Sequence, residues 1–192
     1  MTMDNSTLVS HYKETFQSEP DCVVHAPGRV NLIGEHTDYN EGFVFPAAIN
    51  FGTWIAAGKR NDDKVMVSAL DYDNQVNTFS LSDIQFDNNQ GWANYIRGVV
   101  KVLQADFPQI GGAELVVTGN VPQGAGLSSS ASFEIAILKA FATLYALPLD
   151  GIKASLLGQK AENEFVGCSC GIMDQLISAM GHAGHAMLLD CQ

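Results

Sequence analysis

Apolar positions follow one of two spacings along most of the chain, and the spacing separates predicted helices from predicted strands. Apolar residues three or four apart indicate helices, whereas β-branched and aromatic residues between turn signals indicate strands. A first helix is expected before Pro20, which ends it. Further helices are predicted for 92–107, 128–147, 150–165 and 171–180, and strands for 51–57, 64–69, 76–79, 114–118 and 184–191.

Two segments of this pattern carry a more specific expectation. The run Asn61-Asp62-Asp63 is typical of a turn and predicts a hairpin loop joining two of the strands. In the helix predicted at 128–147, apolar residues cover most of the circumference, so we expect burial on nearly all sides.

The last predicted strand runs almost to the final residue without a turn after it, which suggests that the chain is a piece of a longer protein.

Composition narrows the possible functions. The chain has 192 residues, 46% of them hydrophobic and only 16% charged, which excludes intrinsic disorder. Its net charge of −11 would repel nucleic acid and anionic lipid, so we expect neither as a partner. No apolar run is long enough to cross a membrane, and the start lacks the order of a signal peptide. Four cysteines without a C-x-x-C pair argue against structural zinc and favour reduced thiols in a cytoplasmic protein.

A glycine- and serine-rich stretch lies between a predicted strand and a predicted helix. Such a loop at a helix N-terminus can bind phosphate through main-chain N–H groups. It is not a P-loop, because no lysine lies between Gly119 and Phe133, and Ser129 replaces the third glycine of a dinucleotide fingerprint. A flexible turn with a serine N-cap explains the residues equally well. The candidate phosphate-binding residues are Gly124, Ala125, Gly126, Leu127, Ser128, Ser129 and Ser130.

A second polar cluster begins at Arg29 and continues at 35–38. A guanidinium fork suits phosphate oxygens, and closely spaced donors and acceptors suit a ligand with many hydroxyl groups. The alternative is a polar turn between two strands. No zinc-type spacing is found among His25, Glu35, His36 and Asp38.

Three stretches resemble one family. Residues 28–40 resemble the galactokinase signature, and 119–131 resemble the second motif of the galacto-, homoserine, mevalonate and phosphomevalonate (GHMP) kinase superfamily. Residues 171–175 resemble the galactokinase segment that carries its catalytic aspartate. The chain is similar to the N-terminal part of bacterial galactokinases, and the third family motif is absent from its 192 residues. The resemblance implies an α+β fold over 1–192, with a mixed sheet packed on helices in two layers as in domain 2 of ribosomal protein S5, and a C-terminal domain as partner.

The resemblance also implies a reaction, in which ATP and galactose give ADP and galactose 1-phosphate. Asp174 would accept the proton of the anomeric hydroxyl, while Arg29 would stabilise the transferred phosphoryl group and keep Asp174 ionised. Mg²⁺ would be held by Ser130 and Glu162, and 124–130 would wrap the ATP phosphates. Sugar contacts are implied for Glu35, His36, Thr37, Asp38 and Gly171. Without the family, the favoured explanations are a first-turn helix acid for Asp174 and, for Glu162, a solvated face shared with Glu164.

Two other functions stay open at this point. Some galactokinase relatives sense galactose without turnover, but these lack part of the serine-alanine run, which is intact here at 128–131. A kinase for N-acetylgalactosamine or another sugar is the second alternative, although Glu35-His36-Thr37-Asp38 favours galactose. The 192-residue chain by itself is expected to have little or no turnover.

Overall fold

A five-stranded mixed sheet forms the centre of the computed structural model, which describes residues 5–122 and 124–192. All neighbouring strands are antiparallel except β4 and β6, which are parallel. A separate pair of two-residue strands, β2 (Phe43–Val44) and β7 (Leu189–Asp190), lies outside this sheet. In spatial order, the strands of the large sheet are β1 (Cys22–Asn31), β3 (Pro46–Lys59), β6 (Ala113–Gly119), β4 (Lys64–Ala69) and β5 (Gln75–Ser80).

Four helices form a layer over one face of the sheet, and a fifth helix packs on the other face. A 3₁₀ turn, Leu70–Tyr72, follows β4, and a π-helical turn, Glu162–Val166, continues the fourth helix. The first helix is α1 (Asn5–Phe16), and the four of the layer are α2 (Ala93–Asp106), α3 (Ser129–Tyr145), α4 (Gly151–Ala161) and α5 (Met173–Met180).

Alternating side chains explain why both faces of the central strands are covered. In β3, Ile55 belongs to the core beneath the helical layer, whereas the next residue, Ala56, packs with Leu8 and Tyr12 of α1. Successive strand residues point to opposite faces, so a strand buried on both sides must be apolar at nearly every position. The α+β fold with a mixed sheet packed on helices is therefore confirmed.

The hairpin predicted at Asn61-Asp62-Asp63 is wrong. The loop does connect β3 to β4, but β6 lies between these strands and pairs with both. The main chain of the loop bonds to the residue before β6, since Arg60 N donates to Gly112 O (2.9 Å) and Gly112 N donates to Asp62 O (3.0 Å). A local turn pattern predicts that the chain changes direction, but it does not predict which strands pair with each other.

The strand predicted at 184–191 is also too long. Only Leu189–Asp190 forms a strand, with one isolated bridge between Ala186 and Ala47, and Leu188 is 70% exposed. The predicted helices match more closely, although 150–165 is α-helical only to Ala161. Within residues 5–122 and 124–192, the search for a helix long and apolar enough to span a bilayer finds none. The cytoplasmic location stays a prediction.

Docking of α1 on the second face is testable with two leucines of opposite exposure. Leu8 is fully buried against the sheet, whereas Leu156 on α4 is 54% exposed. We expect Leu8→Ala to lower the free energy of unfolding by about 2–5 kcal/mol, because it leaves a cavity. Leu156→Ala should change it by less than about 0.5 kcal/mol. Urea unfolding followed by circular dichroism measures both, and equal losses would contradict the packing of α1.

Candidate active site

A buried arginine on the first strand forms the centre of the candidate site. Arg29 of β1 donates from Nε to Asp174 Oδ1 (2.8 Å) and from Nη2 to Asp174 Oδ2 (3.1 Å). Asp174 lies in the first turn of α5, 145 residues further along the chain. Bidentate pairing of a guanidinium with a carboxylate fixes both side chains in orientation. The pair therefore joins one edge strand of the sheet to the N-terminus of the last helix.

The glycine-serine loop contacts the same pair. Arg29 Nη1 donates to the carbonyl oxygen of Gly126, and the main-chain N–H of Arg29 donates to Leu127 O (3.1 Å). The Ser128 hydroxyl donates to Asp174 Oδ2. Gly28 permits this approach, because a Cβ there would lie 2.7 Å from Leu127 O. The structure thus brings the three stretches singled out in the sequence into direct contact.

Among the residues that the structure describes, no side chain caps the N-terminus of α3. Ser128 occupies the N-cap position, but its φ is 58° and its hydroxyl bonds to Asp174 instead of to the helix. A left-handed serine costs of order 1–3 kcal/mol, and such strain concentrates at functional sites. Because the first N–H groups of a helix have no partner within it, an uncapped end can bind an anion. A serine does occupy the N-cap position, as the sequence alternative expects, but its hydroxyl bonds to Asp174.

Glu162 is buried near the face of α3 that carries Ser130. Its Oε2 accepts from Gln175 Nε2 (2.7 Å), and the same nitrogen donates to Glu134 Oε2 (3.0 Å). Ser130 lies four residues before Glu134, so the two side chains share one helix face. Glu162 is 5% exposed while Glu164 is exposed, so the solvated-face interpretation of Glu162 is wrong.

This donor set fits a magnesium ion that also binds nucleotide phosphates. Across residues 5–122 and 124–192, no group of three or more His, Cys, Asp or Glu side chains is arranged to hold a metal by itself. Mg²⁺ commonly takes one or two protein oxygens and completes its shell with phosphate and water oxygens. The carboxylate of Glu162 and the hydroxyl of Ser130 are oxygens of this kind.

Burial around Glu162 changes the protonation of its neighbours. Burial raises the pKa of Glu134 well above its ordinary value, and the charge of Glu162 raises it further. Burial likewise raises the pKa of Cys170, with Glu162 as the second cause, so this thiol keeps its proton and donates to Glu162 Oε2 (3.3 Å). The pKa of Tyr95 is raised to about 12, again by burial and then by Glu162.

Tyr95 also lines an aromatic pocket of about 250 Å³ beside the start of α3. The rings of Tyr72 and Trp92 stack in it, with centroids 5.8 Å apart and planes at 19°. Ser129, Ser130 and Phe133 form the wall nearest the loop. Sequence pattern does not indicate this pocket, because Tyr95 and Phe133 lie within the helices predicted for 92–107 and 128–147, where packing in a core already explains an apolar ring.

The polar segment 35–38 contributes unequally to the site. Asp38 packs on Gly171, where any Cβ would overlap its carboxyl group. Burial raises the pKa of Asp38, and the charge of Asp174 raises it further, so these two carboxyl groups are near neighbours. Gly171 is buried, and a side chain there would displace the carboxyl group of Asp38.

The other three residues of the segment have different surroundings. The Thr37 hydroxyl lies 2.8 Å from both Gly34 O and Phe43 O and can donate its one hydrogen to either, so it holds the turn together. Glu35 and His36 are exposed, and His36 bonds through its ring nitrogen to the Tyr39 hydroxyl. Asp38 is therefore the member of the segment that lies closest to the Arg29–Asp174 pair.

Comparisons with known proteins agree with this geometry. The galactokinase galactose-binding signature matches residues 10–59, and the GHMP kinases N terminal domain matches residues 94–182. A crystal structure of Lactococcus lactis galactokinase complexed with galactose superposes with a TM-score of 0.91 at 38% identity, over 97% of this chain and 49% of that one.

More distant solved structures share the fold. Methanococcus jannaschii mevalonate kinase superposes with a TM-score of 0.75 at 23% identity, over 88% of this chain and 53% of that chain. A D-glycero-D-manno-heptose 1-phosphate kinase from Bacteriodes thetaiotaomicron gives a TM-score of 0.73 at 24% identity, over 87% and 58%. At this identity the likeness supports the fold alone.

Fold and loop together match the N-terminal domain of GHMP kinases. The chain belongs to the GHMP kinase family, and the resemblance to galactokinases drawn from 28–40, 119–131 and 171–175 is confirmed. It spans about half the length of the solved kinases described above.

The raised pKa of Glu134 predicts a pH-dependent stability. Folding favours the protonated form of Glu134, which therefore contributes to the free energy of unfolding. This contribution is fully present below the pKa of Glu134 in the unfolded chain, and it is lost as the pH rises through the pKa of Glu134 in the folded protein. Glu134→Gln removes this titration. We expect the free energy of unfolding of Glu134→Gln minus that of wild type to become more positive as the pH rises from about 5 to about 8. Glu164→Gln, at an exposed position, is the control in urea unfolding. Parallel pH curves for wild type and Glu134→Gln would contradict burial of a protonated acid.

Proposed function

We propose that this chain is the nucleotide- and sugar-binding part of a galactokinase. The enzyme would transfer the γ-phosphoryl group of ATP to the anomeric hydroxyl of galactose, giving galactose 1-phosphate and ADP. The observation that carries the proposal is the contact of Arg29 with both Asp174 and the carbonyl of Gly126. It joins a candidate proton acceptor to a candidate phosphate-binding loop.

ATP would bind along the start of α3. The uncapped N–H groups of the helix and the loop 124–130 suit the phosphates, since a helix N-terminus carries partial positive charge. The aromatic pocket next to Ser129 and Ser130 has the stacked rings and the volume to hold the base. Tyr95 would link the two parts, because it lines this pocket and lies near Glu162.

Galactose would bind on the other side of Asp174. Asp38 lies against Gly171 and near Asp174, so its carboxylate can accept from a sugar hydroxyl in the same space. Glu35 and His36 are exposed at the rim and would supply further hydrogen bonds. Buried groups that pair with hydroxyls reject a sugar in which one is missing or inverted. The structure of the Lactococcus lactis galactokinase with galactose supports this choice of sugar.

Phosphoryl transfer depends mainly on positioning and on electrostatic stabilisation. Asp174 would orient the anomeric hydroxyl and take its proton as the new O–P bond forms and the bond from the γ-phosphorus to ADP breaks. Arg29 would hold Asp174 in place and stabilise the charge on the transferred group. Bound Mg²⁺ would neutralise phosphate charge, with Ser130 and Glu162 holding it.

The intact serine-alanine run and the Arg29–Asp174 pair support a kinase over a galactose sensor without turnover. Since the chain spans about half of its solved relatives, the activity of the whole protein belongs to the proposal, as does a C-terminal domain that completes the cleft. The 192-residue chain by itself is proposed to have little turnover.

Asp174→Asn in the whole protein tests the proton acceptor. We expect galactose phosphorylation, measured by coupled ADP release, to fall by about 10²–10⁴-fold, the usual contribution of a general base. Galactose affinity by calorimetry should stay within about tenfold, because other groups also hold the sugar. Asp83→Asn, at an exposed loop position, should change neither quantity. Loss of all binding heat with Asp174→Asn would assign Asp174 a structural role instead.

Ser130→Ala separates the two substrates. Removing a proposed magnesium ligand should raise the KM for Mg·ATP at least about tenfold, because loss of an outer-shell contact alone costs roughly that much in metal affinity. The KM for galactose should stay near the wild-type value, since Ser130 lies on the nucleotide side. Steady-state kinetics with each substrate varied in turn measures both. An equal loss for the two substrates would remove Ser130 from the metal site. Ser169→Ala, at an exposed position, is the control.

A further inference from the structure

The amide of Gln175 bonds to two buried carboxyl groups that come from different helical segments. Its Nε2 donates to Glu162 Oε2 (2.7 Å) at the start of the π-helical turn and to Glu134 Oε2 (3.0 Å) on α3. Gln175 and Glu134 are both fully buried, and Glu162 is nearly so. An amide nitrogen has two N–H groups, so each carboxyl group receives one.

Glu162 is held by one of its two oxygens. Oε2 accepts from Gln175 and from the Cys170 thiol (3.3 Å), and in the part of the chain that the structure describes Oε1 accepts no hydrogen bond. A carboxylate fixed through one oxygen presents the other in a defined direction. Outer-shell donors of this kind orient metal-binding carboxylates and tune their affinity.

We propose that Gln175 and Cys170 are positioning residues that hold Glu162 Oε2, so that Oε1 is the oxygen presented to a divalent cation. The proposal rests on the proposed function, which assigns Glu162 to magnesium. Gln175 touches neither substrate nor metal in this arrangement and acts through Glu162 alone.

The side chain of Gln175 is closely packed, which leaves little space for another orientation. Gly158 of α4 lies beside it, and a Cβ there would be 3.1 Å from Cγ of Gln175 and 3.5 Å from Oε2 of Glu134. Within residues 5–122 and 124–192, the buried side-chain oxygens Gln175 Oε1 and Glu134 Oε1 have no hydrogen-bond partner. The amide therefore turns its N–H groups, and not its oxygen, towards the carboxyl groups. Leaving a buried polar atom without a hydrogen bond costs free energy of folding. Such a cost is expected where a side chain orients its neighbour rather than stabilises the fold.

Gln175 also follows Asp174 directly in the first turn of α5. The two side chains point to different sides of the helix, Asp174 to Arg29 and Gln175 to Glu162. One helix turn therefore sets the distance between the proposed proton acceptor and the proposed metal ligand.

The test measures Mn²⁺ affinity of the whole protein by electron paramagnetic resonance, with a saturating non-hydrolysable ATP analogue. We expect Gln175→Met, similar in length but without donors, to weaken Mn²⁺ binding by about 10–100-fold, the usual cost of an outer-shell change. Galactose affinity should not change. Gln85→Met, at an exposed position, is the matched control. In a Glu162→Gln background, Gln175→Met should have no further effect on Mn²⁺ affinity.

The same measurements separate the two ideas. If Glu162→Gln weakens Mn²⁺ binding but Gln175→Met leaves it at the wild-type value, the positioning role is overturned and the proposed function is untouched. If Glu162→Gln itself has no effect, the metal assignment fails, and this inference fails with it.

If Gln175→Met does not fold, two variants of Cys170 test the proposal. Cys170→Ala removes the second donor to Oε2, whereas Cys170→Ser retains one. Weaker Mn²⁺ binding with alanine and near wild-type binding with serine would support positioning through Oε2. Equal affinities for the two variants would overturn it.

Discussion

The pairing of Arg29 with Asp174 is the interaction on which the rest of the site depends. A guanidinium buried to this extent is costly unless a carboxylate meets it with good geometry, and removing one partner leaves an uncompensated charge. The pair therefore requires β1 and α5 to lie side by side. Through the carbonyl of Gly126 and the hydroxyl of Ser128 it also fixes the loop before α3, so one ion pair sets the positions of three segments.

The loop before α3 combines two features that reduce local stability. Ser128 adopts a left-handed conformation that disfavours any side chain, and its hydroxyl leaves the helix uncapped to reach Asp174. Both features weaken α3 at its N-terminus. Both also leave main-chain N–H groups directed at the space where an anion would lie, which is the electrostatic function of such an end. Strain of this kind persists only because the Arg29 contacts over-determine the loop.

The charge of the candidate site bears on the proposed binding of a nucleotide. Asp174 pairs with Arg29 and Asp38 lies near both, in a chain whose net charge is −11, so the phosphates of the proposed ATP would approach a region that carries negative charge. Helix N–H groups offset part of this repulsion, and a divalent cation at Glu162 would offset more. A protonated Glu134 fits the same requirement, because burial keeps one further negative charge out of the cluster.

Local pattern in the sequence was sufficient for most helices and strands, and for the family, because periodicity and contiguous motifs are properties of neighbouring residues. The segment 64–69 coincides with β4, yet no local feature predicted that β6 would separate it from β3. The burial of Glu162, its bond to Gln175 and the loss of the Ser128 cap were equally out of reach. Each depends on contacts between residues brought together from distant parts of the chain, and only the packing of helices on the sheet decides which of them meet.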